Sequence, residues 1–206
     1  MIGDIMFAIV ESGSITSMPK GNKGVEINGI KHPASIFTLW SESERNAIGV
    51  YTVEIDETNL KSKEWYNNTN ITYAFSGGKV TGSYGTATAK PHADILYTEQ
   101  NKTDNEIPTG KDVGDVKQEG LKTILIREVK AQAQGILNQT DWYVVRKADT
   151  DEAIPSNVAT HRAAVRTKQA SMETAITNAA DTPALETLYK RNESGVRPLG
   201  DFPNLE

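Results

Sequence analysis

The 206-residue sequence contains no cysteine, so disulfides, thiolate nucleophiles and zinc–sulfur centres are excluded outright. It has no apolar run near the roughly 20 residues needed to span a bilayer. Met1 to Val10 is apolar but brief, contains Asp4 and lacks a basic leading segment, so it is not expected to be a signal peptide. Basic character is also missing. Residues 1–100 carry 8 Lys/Arg against 11 Asp/Glu and residues 101–206 carry 14 against 16, so the halves net −3 and −2. Neither half offers the positive field that phosphate backbones require, which argues against nucleic-acid binding. The hydrophobic fraction, 37%, predicts a modest core. Aromatic and β-branched residues recur along most of the chain, which points to folding rather than disorder.

What is present divides by period. Residues 1–97 read as short strands. Phe7 to Val10 and Ser14 to Thr16 flank a Ser-Gly turn, and Val50 to Ile55 alternates. Asn28-Gly29 lies between Val25-Glu26-Ile27 and Ile30-Lys31-His32, a hairpin signal because both central residues must take positive φ. Gly77-Gly78 marks a second hairpin between Thr72–Ser76 and Lys79–Tyr84. Ser41 and Glu44 form the pattern of a capping box, with Gly49 placed to close that helix. The expectation is an antiparallel sandwich or meander rather than a parallel sheet. Residues 98–116 are polar and rich in breakers, and read as a linker or extended arm.

From Lys117 the period becomes helical. Leu121, Leu125, Val129, Ala133 and Leu137 recur every four residues. Thr140 or Asp141 should cap a second helix running to about Ala148, and Pro155 should open a third running to about Ala180. On the third, Val158, Val165, Met172 and Ala179 stand seven apart. Such a narrow seam packs against the 117–137 helix or pairs with a second copy of itself, through residues 156–180. Thr182-Pro183 opens a last helix to Leu188, and the tail 191–206 should be extended. The fold class is therefore α+β, an N-terminal antiparallel β-rich domain followed by a small C-terminal helical bundle over 117–206.

A search for chemistry returns little. His32, His92 and His161 form no helix-borne metal pair, and His161 reads as a packing residue beside Val158 and Val165. Gly77-Gly78-Lys79 and Thr109-Gly110-Lys111 lack the spacing of a phosphate loop. Neither Asp56-Glu57 nor Asp149-x-Asp151-Glu152 completes a calcium loop. Five Asn-x-Ser/Thr sequons, at Asn67, Asn70, Asn101, Asn138 and Asn192, follow from an Asn- and Thr-rich composition. Trp65-Tyr66 has the chemistry to stack on a sugar or, more simply, to cover the end of a sheet. No catalytic group, cofactor or metal is expected.

The most specific pattern is Leu137-x-x-Thr140-Asp141-Trp142-x-Val144-x-Arg146, then Ile154-Pro155 and His161-Arg162-x-x-Val165-Arg166. It resembles the C-terminal module of the tail fibre assembly proteins of tailed bacteriophages, with Val158 and His161 where that family often has Trp and Tyr. Gly29-Ile-Lys-His-Pro33, Phe37-x-Leu-Trp-Ser41 and Glu44-Arg-x-Ala-Ile-Gly-Val-Tyr51 are similar to the start of phage tail proteins that carry it. The resemblance implies a non-enzymatic protein of the virion tail, assembled in the host cytoplasm and acting on other tail or fibre proteins. It also accommodates a fibre-assembly chaperone that leaves; a host-receptor or glycan-binding module is a third alternative, resting only on the β half and Trp65-Tyr66. Trp142 would anchor the short helix, Asp141 or Thr140 would cap it, and Arg162 and Arg166, four apart, would pair with Asp149, Asp151 or a partner's carboxylates. Trp40 and Trp65 are the candidate packing or partner residues of the β half.

Overall fold

The computed structural model describes residues 6–205, and Met1–Ile5, where the reading of the N-terminus begins, lie outside them. The chain forms two compact units, the first ending at Thr88 and the second starting at Ala89. A strand-rich N-terminal part is followed by packed C-terminal helices, the α+β class expected from the sequence.

In the first unit the strands are β1 (Phe7–Glu11), β2 (Ser14–Ser17), β3 (Val25–Ile27), β4 (Ile30–His32), β5 (Val50–Asp56), β6 (Tyr66–Asn67), β7 (Ile71–Ser76) and β8 (Lys79–Tyr84). A two-residue strand β9 (Thr88–Ala89) falls on the division between the units. Helices α1 (Ile36–Leu39) and α2 (Glu42–Ala47) sit between β4 and β5. Five strands form one sheet in the order β2-β1-β5-β8-β7. All neighbours run antiparallel except β5 and β8, which pair in parallel from Val53↔Val80 to Asp56↔Ser83. That pair departs from the expected meander. Strand β7, paired with β8 from Ile71↔Tyr84 to Ser76↔Lys79, is the edge strand beyond β8, so the chain passes β8's place before returning to it. Nothing in the local pattern of either strand carries that long-range choice.

Strand β1 explains why Phe7 to Val10 is a continuous apolar run. Its side chains alternate faces, and both faces are covered. Phe7 and Ile9 pack with Ile27, Ile36, Phe37 and Val50, while Ala8 and Val10 pack with Val53 and Val80. Each such side chain contributes about 1.5–3 kcal/mol when fully buried. The expected turns form as read, with φ of 49° and 78° at Asn28 and Gly29 and of 58° and 76° at Gly77 and Gly78. The capping box of α2 also forms, with the Ser41 amide donating to Glu44 Oε2 at 2.7 Å and the Glu44 amide donating to Ser41 Oγ at 3.3 Å.

The second unit contains β10 (Ile95–Leu96), α3 (Glu99–Thr103), β11 (Val116–Gln118), α4 (Leu121–Asn138), α5 (Asp141–Thr150), α6 (Ser156–Asn178) and α7 (Thr182–Tyr189). Residues 98–116 are not a linker between units but part of this one. Thr98 caps α3 through a reciprocal exchange with Asn101, and β10 pairs with β11. The loop is stapled by Lys117–Glu106 at 3.1 Å and by the Tyr97 amide donating to the Asp115 carbonyl at 2.9 Å. Short polar elements of this kind are held by caps and turns rather than by an apolar period, so hydropathy does not register them.

Helices α4 and α6 run antiparallel. Lys122 Nζ reaches the Thr177 carbonyl at one end, Lys130 pairs with Glu173 in the middle, and Arg162 meets the Leu137 carbonyl at the other. Leu125, Val129, Ala133 and Leu137 of α4 are buried, as are Val158, Val165, Met172, Ile176 and Ala179 along the seam. The seven-residue seam is thus filled within the chain and is not left open for self-pairing. The tail is not free either. The Leu199 amide donates to the Leu188 carbonyl at 2.9 Å with its side chain buried, and Phe202 packs on Ala133, Leu137 and Val165. Arg191 holds Asp201 with both guanidinium nitrogens, at 3.1 and 3.0 Å. Arms of this composition read as extended only while their long-range partners are out of view.

Candidate assembly surface of the helical unit

Of the six residues singled out from sequence, Asp141, Trp142, Arg162 and Arg166 lie around the α4–α5 junction and α6, while Trp40 and Trp65 belong to the first unit. Trp65 is buried, only 3% exposed, so its face is unavailable to a sugar. Trp40 is half-buried against the Phe7–Ile9 cluster, edge-on to His32 at 6.0 Å, with its carbonyl accepting from Arg45 Nη1. Both are packing residues.

The junction is organised by Arg162. Its guanidinium is buried and makes three bonds, from Nη1 to the Leu137 carbonyl at 2.7 Å, from Nη1 to Thr140 Oγ1 at 2.7 Å, and from Nη2 to Asp141 Oδ1 at 2.8 Å. Thr140 Oγ1 in turn donates to the Leu137 carbonyl at 3.1 Å. The last carbonyls of a helix lack the usual amide partner four residues on; the Leu137 carbonyl takes the Thr140 amide at 3.0 Å, and the planar fork of one arginine adds a charged donor to it while holding the first residue of the next helix. Thr140 occupies the N-cap position of α5 without capping an amide, because its hydroxyl is committed to this knot. Arg162 therefore pairs with Asp141, not with Asp149 or Asp151. The Asp151 carboxylate is taken by Lys147, and Arg146 pairs with Glu152 at 3.1 Å.

Helix α5 buries none of its residues. Trp142, expected to anchor it, is 53% exposed, and Val145 is 66% exposed. The indole stacks on its neighbour Tyr143, ring centroids 3.9 Å apart, and the Arg146 guanidinium lies over both rings at 4.7 and 5.3 Å. The helix is fastened by polar bonds at its first turn, leaving an aromatic–cation layer and Val144–Val145 on display. Tyr143 and Arg146 were missed as members of this layer. Their spacing, at one and four residues after Trp142, is its only sequence trace.

Arg166 projects instead into an open groove of about 910 Å³ that runs along α6 beside α4 and is lined by Gln134, Gln169, Ala170, Glu173 and Thr174 among others. Its guanidinium has no hydrogen-bond or ion-pair partner among the described residues, unlike Arg162 one turn away. His161, the packing histidine, is buried with its Nδ1 unbonded. Near the start of α4, Asp94 Oδ1 accepts the Gly120 amide at 2.7 Å, and this bond, with a second from Thr123, holds its carboxyl below the ordinary range.

Among the described residues no group of three or more His, Asp or Glu side chains is placed to hold a metal ion, and no helix is long and apolar enough to cross a membrane. No family model matches the chain, and no curated protein or solved structure compared with it gives a match.

Proposed function

We propose that this chain is a non-enzymatic structural protein of a bacteriophage tail, a component of the tail or baseplate or the adaptor that holds a fibre, assembled in the host cytoplasm. The observation that carries the reading is α5. An isolated helix shorter than about 12–15 residues is marginal in water, and this one has 10 and buries none of them. A helix that hides nothing, yet is pinned by a buried arginine and presents Trp142, Val144 and Val145, is built to be covered by another protein. Tryptophan, tyrosine and arginine are the side chains that dominate interface energetics. The resemblance of Leu137 to Arg166 to the tail fibre assembly module supplies the setting.

The second reading is an assembly chaperone that docks through the same helix and departs. The small area of one short helix favours it, since stable interfaces bury about 800 Å² per partner. Mass spectrometry of purified particles separates the two. Stoichiometric presence is the expected result, and absence from mature particles transfers the role to the chaperone. Trp142→Ala should leave the fold intact and remove the chain from particles; normal incorporation of that variant rejects α5 as the contact. Of the Trp65-Tyr66 pair on which the glycan-binding alternative rested, Trp65 is buried and Tyr66 half-buried, which counts against it.

A further inference from the structure

The groove along α6 has the form of a missing third helix. Between Arg162 and Asn178 it follows α6 for about 24 Å at roughly 1.5 Å per residue. It lies between two antiparallel helices whose other partners, the 199–202 tail segment and α7, are already in place. Its walls at Ala170 and Thr174 are small, which permits the close axial approach of packed helices. The amides of Gln134 and Gln169 that line it are bonded within the chain, to Asn138 and Glu173.

The charges sharpen what fits. Asp141 is taken by Arg162, and Glu173 is held by Lys130 at 3.5 Å and by Gln169 Nε2 at 2.8 Å. Among the groove's charged groups only Arg166 is left without a partner among the described residues. The groove therefore carries one uncompensated positive charge one turn in from its Arg162 end, on the side chain whose planar fork matches a carboxylate.

We propose that this groove receives an acidic helical segment of a partner protein, with Arg166 taking a carboxylate of that helix while the small residues Ala170 and Thr174 admit its backbone. The proposal rests on the assembly reading above and adds a second contact to α5, one that selects the partner by charge.

A displayed library of random peptides about 16 residues long, the length of the groove at about 1.5 Å per residue, would be selected against the full-length chain. The expected binders carry Asp or Glu at helical spacing and lose affinity about tenfold or more against Arg166→Glu. Exchanging the selected acid for Lys should restore binding to Arg166→Glu, a charge-swap rescue that a general folding defect does not give. Arg166 is exposed and unpartnered, so the variant should melt with the parent. Binders with no acidic preference, no binders at all, undiminished binding to Arg166→Glu, or failure of the swap overturn the proposal. None of these outcomes bears on whether the chain is in the particle or on whether Trp142 is needed there, so the two readings fail separately.

Discussion

Replacing Arg162 by alanine removes three hydrogen bonds and a buried charge at once. Bonds to a charged donor contribute about 1.5–3 kcal/mol each, but those made by one guanidinium are not additive. Breaking a buried ion pair costs about 3–5 kcal/mol. Asp141 is 46% exposed and regains water when its partner goes, which lowers the figure. The Leu137 carbonyl keeps the Thr140 amide and hydroxyl as donors, and the enclosed Thr140 hydroxyl, on a residue 4% exposed, loses only the bond it accepts, which places the cost at the low end. A loss of about 3 kcal/mol follows, or about 6–12 °C in Tm for a chain of this size. Far-UV circular dichroism at the helical band reports it, because α4, α5 and α6 all lie in the affected unit. Arg162→Lys should recover less than half, since an ammonium has no fork to reach two acceptors and a carboxylate together. A cycle with Asp141→Asn should return a coupling of about 1 kcal/mol, as fits a half-exposed pair. A fall in Tm below about 2 °C for the alanine variant, or a lysine variant as stable as the parent, refutes the knot as the fastening of α5.

Three further outcomes are expected. In Gly120→Ala the new Cβ would stand 2.2 and 2.3 Å from the carbonyl carbon and oxygen of Ala93, backbone that cannot swing aside. A loss of about 1–3 kcal/mol should appear as a lower urea midpoint with an unchanged slope. Leu199→Ala should cost about 2–5 kcal/mol by thermal melting, because the tail is part of the core; a neutral result would return residues 199–205 to the status of a free arm. The Asp94 carboxyl, depressed chiefly by the Gly120 amide, contributes stability that is complete above the ordinary carboxylate range and lost as pH falls through its lower folded value, below about pH 4. Acid unfolding of Asp94→Asn should therefore show a shallower fall of stability with pH than the parent, and parallel curves would show that the bond is not formed in solution.

Much of the scaffold was legible because its signals are local. Asn28-Gly29, Gly77-Gly78 and the Ser41–Glu44 box each settle a turn or a helix start within four residues, and the four-residue stripe from Leu125 to Leu137 is the buried face of α4. The seven-residue seam of α6 predicted burial and left two partners, the 117–137 helix or a second copy, and the chain reversal supplies the first. The misreadings share a cause. The parallel β5–β8 pair, the docking of Leu199 and Phe202, and the fold of residues 98–116 depend on contacts far apart in sequence or on single hydrogen bonds. Of the candidate site, Asp141 was expected as a cap and Arg162 as the partner of Asp149, Asp151 or another protein's carboxylates, so their pairing was not foreseen, and Trp142, expected to anchor its helix, lies outside. An aromatic type declares large area but not which side of the surface it lies on, and here Trp65 is inside and Trp142 outside.

The polar fastening of α5 separates two requirements that most helices must satisfy with the same residues. Stability of the junction is vested in Leu137, Thr140, Asp141 and Arg162, all at or before the first turn of α5 or on α6. Positions 142–150 contribute no buried side chain. They can therefore be rewritten, one substitution after another, without disturbing the core. The helix behaves as an exchangeable cassette, able to follow a drifting partner while the body of the protein stays fixed.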